Sequence, residues 1–100
     1  MIVFKYSKKS QEYDLIREMN RSARSVATNI AEGFSRRSEQ KIFHYHLGVA
    51  LGEANEMLVH INFARDFNVF SIENAEELQA NYTILCKKIS VFRERNAEFL

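Results

Sequence analysis

The stretch RSARSVATNIAEG, residues 21–33, decides how the chain is to be read. Its apolar residues Ala23, Val26 and Ile30 recur at steps of three and four, and Leu15 and Met19 continue the series upstream. That spacing puts all five on one side of a 3.6-residue helix. Ser22, Ala23 and Ala27 are small, which lets another helix approach closely on that side. Gly33 suits the position just past a helix end, where positive φ is needed. A first helix is therefore predicted over residues 11–32.

Downstream, residues 34–38 read as a short turn, with Ser35 or Ser38 able to cap a second helix. That helix is predicted over residues 38–67. Its stripe is Phe43, Leu47, Ala50, Ala54, Met57, Ile61 and Ala64, widened by Val49, Leu51 and Leu58. Gly48 and Gly52 lie four apart within it, where each costs about 1 kcal/mol against alanine. Close helix–helix contact through the missing side chains is the expected reason; approach of a ligand or a nucleic-acid backbone is the alternative. After a link over residues 66–70, Ser71 is a good N-cap and Glu73 stands in the favourable first turn. A third helix is predicted over residues 71–96, carried by Ala75, Leu78, Tyr82, Leu85, Ile89 and Phe92 at heptad-like spacing.

Links this short force neighbouring helices antiparallel. The fold expected is all-α: one domain over residues 1–100, an antiparallel up-and-down bundle of three long helices. Its broad apolar faces, with Phe63, Phe67 and Phe70, call for a fourth element. Residues 1–10 read as an N-terminal arm. Within it, Ile2, Val3, Phe4 and Tyr6 suit an extended segment or a strip laid on another helix, and Lys8 to Ser10 a solvated turn.

Composition agrees. The chain has 100 residues, no proline, three glycines and 46% hydrophobic residues, which suits long helices rather than turn-rich β structure. No apolar run approaches the roughly 20 residues needed to cross a membrane, and the opening residues do not form a signal peptide. The lone Cys86 is expected as a reduced thiol packed as a small hydrophobe, consistent with a cytoplasmic protein. Net charge is +1, unevenly spread: residues 1–50 carry nine Lys/Arg against five Asp/Glu, residues 51–100 five against eight. An anionic partner on part of the surface is permitted by that asymmetry.

Arg21, Ser25, Asn29, Ile30, Ala31, Glu32 and Gly33 together resemble the signature of the S23-like family, the four-helix-bundle proteins encoded in 23S ribosomal RNA intervening sequences. The pattern there is an arginine, two small residues, one more residue, Ser-Ile or Ser-Val, two residues, then Asn-Ile-Ala-Glu-Gly. Arg36 or Arg37 with Ser38 resembles the basic turn that follows, and Phe43, Ala50, Gly52, Glu53 and Glu56 resemble the next helix. The likeness covers about residues 13–67, and the last helix by pattern. Such proteins begin with an amphipathic helix before a Tyr-x-Leu start. Here Tyr13-Asp14-Leu15 arrives almost at once, so the first helix is expected to be absent, replaced by the arm, or supplied by a neighbouring chain. The resemblance further implies ring-like homo-oligomers, notably pentamers. A more distant likeness, to the accessory protein of diversity-generating retroelements, implies RNA or DNA as a partner, although this chain is far less basic.

Arg17, Arg21 and Arg24 fall at i, i+4 and i+7, with Arg36, Arg37 and Lys41 beyond the turn. They are the candidate nucleic-acid contacts, since guanidinium forks suit phosphate oxygens; the alternative is a solvated face paired with Asp14, Glu18 and Glu32. Glu32 stands near a helix C-terminus, unfavourable to the dipole, and is expected to pair with Arg36, Arg37 or an arginine of a neighbouring helix. Asn29 is expected to cap loop carbonyls. His44, His46, His60, Glu53 and Glu56 raise a metal site, but His44 and His46 diverge by about 200° around a helix, and the paired Glu-x-x-His motifs of di-iron bundles are missing. No catalytic residues, metal or cofactor are assigned: Cys86, Ser25 and Thr28 have no base arranged beside them in sequence. The expectation is a non-enzymatic oligomeric binding or scaffold protein. The alternatives are a nucleic-acid-binding accessory protein using the basic strip, and an intervening-sequence product without a defined cellular function.

Overall fold

A computed structural model describes residues 8–97 as three helices: α1 (Lys8–Ser35), α2 (Gln40–Asp66) and α3 (Ile72–Arg95). No strand occurs among the described residues. α1 and α3 each pack antiparallel along α2, yet do not approach each other closely along their backbones. α2 is therefore the central helix.

All seven stripe residues of α2 are buried. Ala50, Ala54 and Ala64 are wholly so, and their small side chains let a neighbour settle on each flank. One half of the core joins Val26, Phe43, Leu47, Ala50, Ala54 and Ile89. The other joins Met19, Met57, Ile61, Ala64 and Ala75. Tyr82 packs against both halves. Burial of its ring lifts the phenol above the usual tyrosine range.

Several expectations need correction at the helix ends. Lys8 to Ser10 are the first turn of α1, not a solvated turn; the rest of the expected arm lies outside the described residues. α1 also runs past Gly33 to Ser35, and no glycine has positive φ. Gly33 is there for proximity. A Cβ on it would lie 3.1 Å from Phe43 Cδ1 and 3.3 Å from His46 Cβ, so α2 crosses α1 where the side chain is missing. Neither Ser35 nor Ser38 caps α2. Ser35 Oγ donates back to the Glu32 carbonyl at 2.8 Å, and the N-cap residue is Glu39, without a side-chain cap bond. α2 stops at Asp66, one residue short of the predicted end.

The α2–α3 link is closed by a device not predicted from sequence. Asn68 has φ 58°. The Val69 N–H donates to the Ala64 carbonyl at 2.8 Å and the Asn68 N–H to Arg65 at 3.1 Å, the two bonds of a Schellman motif. Asn68→Gly is expected to stabilise the chain by up to about 1 kcal/mol by removing the left-handed penalty, read as a higher urea midpoint. Asn68→Val is expected to lower it. α3 begins as expected: the Asn74 N–H donates to Ser71 Oγ at 3.1 Å.

Candidate functional site

The signature residues lie where α1 faces α2, and two polar knots fasten that seam. In the first, Arg21 reaches across to α2. Its Nε donates to Glu18 at 2.8 Å, Nη1 to Glu53 at 3.3 Å and Nη2 to Glu56 at 3.1 Å. The hydrogen bond from Arg21 holds Glu18 below the usual carboxylate range. The same bond to Glu18, with the charge of Glu53, raises Arg21 above the ordinary arginine value.

In the second knot, Asn29 Nδ2 donates to the Ser25 carbonyl at 2.9 Å and to Ser25 Oγ at 3.2 Å. Those contacts leave the amide oxygen pointing across the seam, 2.9 Å from His46 Nδ1. An amide oxygen only accepts, so His46 carries its proton on Nδ1. Asn29 thus ties helix to helix; it does not cap loop carbonyls. Ile30 packs against the core behind it, while Ala31 and Glu32 are exposed.

The basic residues do not form one strip. Arg17 lies 3.9 Å from Asp14. Arg36 is paired with Glu39, which that hydrogen bond holds below the usual carboxylate range. Glu32 therefore does not receive Arg36 as its direct partner. Arg37 Nη1 donates to the Phe34 carbonyl at 2.8 Å. Arg24 and Lys41 have no ion pair among the described residues, and both are exposed. Arg17 and Ser35, the last residue of α1 before Arg36, stand about 27 Å apart by helical rise. The surface here is largely a set of local pairs.

The glycines of α2 part company. Gly48 is covered by Arg93 of α3, whose Nη2 would lie 2.8 Å from an added Cβ. Arg93 Nε also donates to the His44 carbonyl at 3.2 Å. Burial, then the charge of Arg93, lowers His44 from the ordinary imidazole value. Gly52 has nothing within 4 Å of an added Cβ, so the expected close contact exists for Gly48 and not for Gly52.

No group of three His, Cys, Asp or Glu side chains among the described residues has the geometry of a metal site. Cys86 is half-buried, its Sγ 3.5 Å from Asn55 Oδ1, and burial raises the thiol above its ordinary value. That is the reverse of what a nucleophilic thiolate requires. No helix is long and apolar enough to cross a membrane among the described residues.

Sequence reading placed Arg21, Ser25 and Asn29 in the motif but missed their partners Glu53, Glu56 and His46. Those partners depend on the register of α2 against α1, which no local pattern states. Arg93 was missed for the same reason. In comparisons with known proteins, no curated protein and no solved structure matches the chain. The family model described as 23S rRNA-intervening sequence protein matches residues 1–91. With an all-helical fold and the signature residues on the α1–α2 seam, that match over most of its length shows that the chain belongs to the 23S rRNA-intervening sequence protein family.

Proposed function

We propose that this protein works by assembly: a non-enzymatic, cytoplasmic helical scaffold that self-associates as a homo-oligomer. One observation carries the reading, the gap left between α1 and α3. Both helices pack on α2 with their backbones held apart, bridged by the stack of Phe34 of α1 on Phe92 of α3, 5.6 Å between ring centroids. A cleft there has Leu47 of α2 as its floor and Ile30, Phe34, Lys88, Ile89 and Phe92 as its walls. Along α1 the apolar row continues through Ile16, Ala23 and Ala27, with Ile16 and Phe34 about two-fifths exposed. In this reading a fourth amphipathic helix, from another copy, covers the row. Covering the row gains about 25 cal/mol per Å² of apolar surface.

The nucleic-acid alternative draws its support from Arg24, Arg37 and Lys41, because Arg17, Arg21 and Arg36 already face carboxylates.

Light scattering at low and high salt, with absorbance at 260 and 280 nm, tests the reading. The expected result is a salt-independent oligomer free of nucleic acid. A particle that carries nucleic acid and sheds it at high salt would favour the accessory role, since phosphate contacts release counterions. A monomer under all conditions would overturn assembly. Ala27→Leu sharpens the test. Ala27 is exposed, so the substitution is expected to leave unfolding of the isolated chain within about 0.5 kcal/mol while changing the assembled mass.

A further inference from the structure

A groove of about 500 Å³ opens between the first turns of α1 and the last turn of α2. Its apolar lining is Leu15, Phe63, Phe67 and Val69. Phe63 and Phe67 lie parallel, 5.8 Å between ring centroids, and are still 47% and 55% exposed. Two stacked rings left open to water call for a cover. Glu12 and Asp14 stand on the rim. Asp14 lies 3.9 Å from Arg17, whereas Glu12 has no ion pair among the described residues. Lys8, the first residue of α1, also lines the groove, so residues 1–7 join the fold at its mouth.

We propose that residues 1–7 of the same chain occupy this groove as an extended strip running back along α1. The proposal is separate from self-association: the groove shares no lining residue with the α1–α3 cleft or with the row of Ile16, Ala23 and Ala27. Length and pattern select the occupant. An extended chain advances about 3.3 Å per residue and a helix about 1.5 Å. A strip that turns back at Ser7 therefore covers in three residues, about 10 Å, what α1 covers from Lys8 to Leu15. Phe4 arrives level with Leu15, and Lys5 level with Glu12. Side chains alternate along an extended strip, so Ile2, Phe4 and Tyr6 share the edge that meets Leu15, Phe63 and Phe67. Lys5 supplies the charge that Glu12 lacks as a partner. Tethering at Lys8 holds the strip at a local concentration on the order of millimolar, which favours it over a free apolar ligand or the strip of another copy.

Cross-linking in the full chain tests the placement. In a Cys86→Ser background, Phe4→Cys with Phe63→Cys is expected to close a disulfide within one chain on oxidation, which requires the two Cβ atoms within about 4.5 Å. Phe4→Cys with Tyr45→Cys, about 27 Å further along α2, is expected to keep both thiols. Phe4→Cys chains mixed with Phe63→Cys chains are expected to give no covalent dimer joining the two variants. Failure of the first pair to close, or equal closure of both pairs, overturns the placement. So does a covalent dimer from the mixture, which would assign the strip to another copy. The second readout needs no cysteine. The chain has no tryptophan, so Phe4→Trp reports the strip alone. Its indole is expected to be quenched by acrylamide several-fold less than in a free peptide of residues 1–7. Adding Phe63→Gln and Phe67→Gln removes two rings that are each about half exposed. These changes are expected to keep the helical circular dichroism and to restore the quenching of the peptide. Quenching that equals the peptide's from the outset, or that the two substitutions leave unchanged, overturns the proposal. Neither readout depends on assembled mass, so a monomeric parent would overturn assembly and leave this placement standing.

Discussion

Replacing Ile61 by alanine is expected to destabilise the chain by about 3 kcal/mol, within the range of roughly 2–5 kcal/mol for a wholly buried isoleucine. Ile61 has no exposed surface and sits in the core half formed with Met19, Met57, Ala64 and Ala75. Two of those four neighbours are alanines, too short to fill the space a lost isoleucine leaves. For a domain of this size, 1 kcal/mol moves the melting temperature by about 4–8 °C. The substitution should therefore lower it by about 12–24 °C, a large part of a total stability of about 5–15 kcal/mol. Thermal unfolding by circular dichroism at fixed protein concentration measures this. Ile61→Val should cost only about 1 kcal/mol. A loss under 1 kcal/mol for Ile61→Ala would show that the three helices do not close around this position.

Gly33→Leu is expected to cost about 3 kcal/mol, at the upper end for overpacking. The first carbon of the new side chain already falls 3.1 Å from Phe43 Cδ1 and 3.3 Å from His46 Cβ. The rest would enter the aromatic group where Phe34 lies 5.4 Å from Phe43 and 5.6 Å from Phe92 between ring centroids. Gly33→Ala separates two accounts of this residue. As a left-handed cap, alanine would bring a strain of about 1–2 kcal/mol. In the helical backbone found here, it gains up to about 1 kcal/mol of propensity and loses a similar amount as the Phe43 ring shifts. Near-neutral behaviour in urea is expected for Gly33→Ala, with Gly33→Leu strongly destabilised. Equal midpoints for the two variants would contradict the close crossing of α1 and α2.

The second effect originates at the α1–α2 seam that holds the family signature, whereas Ile61 sits where all three helices meet. Arg21, Ser25, Asn29 and Gly33 have roles within the fold: a clamp on three carboxylates, a bridge to His46 and a gap for Phe43. This is why a motif specific enough to mark a family need not mark a reaction centre.

The number of helices, the core stripe of α2 and the Ser71 cap are legible in the order of the residues. Those features are written in local periodicity and in a side chain that bonds its own backbone, so neighbouring residues suffice to state them. That order also contains the family signature, because a motif is a string. What that string does depends on the packing of the helices. Whether Gly33 ends a helix or lets another cross it depends on Phe43 and His46, brought there by the register of α2. Whether Arg17, Arg21 and Arg36 form a basic strip or a set of ion pairs depends on where each guanidinium finds its carboxylate, and Arg21 finds two of its three across the seam. Gly48 and Gly52 look alike in the chain; one lies beneath Arg93 and the other faces open space, because α3 covers only one of them. Side-chain chemistry is local, but contact is set by how helices stack, and stacking is settled by the whole core at once.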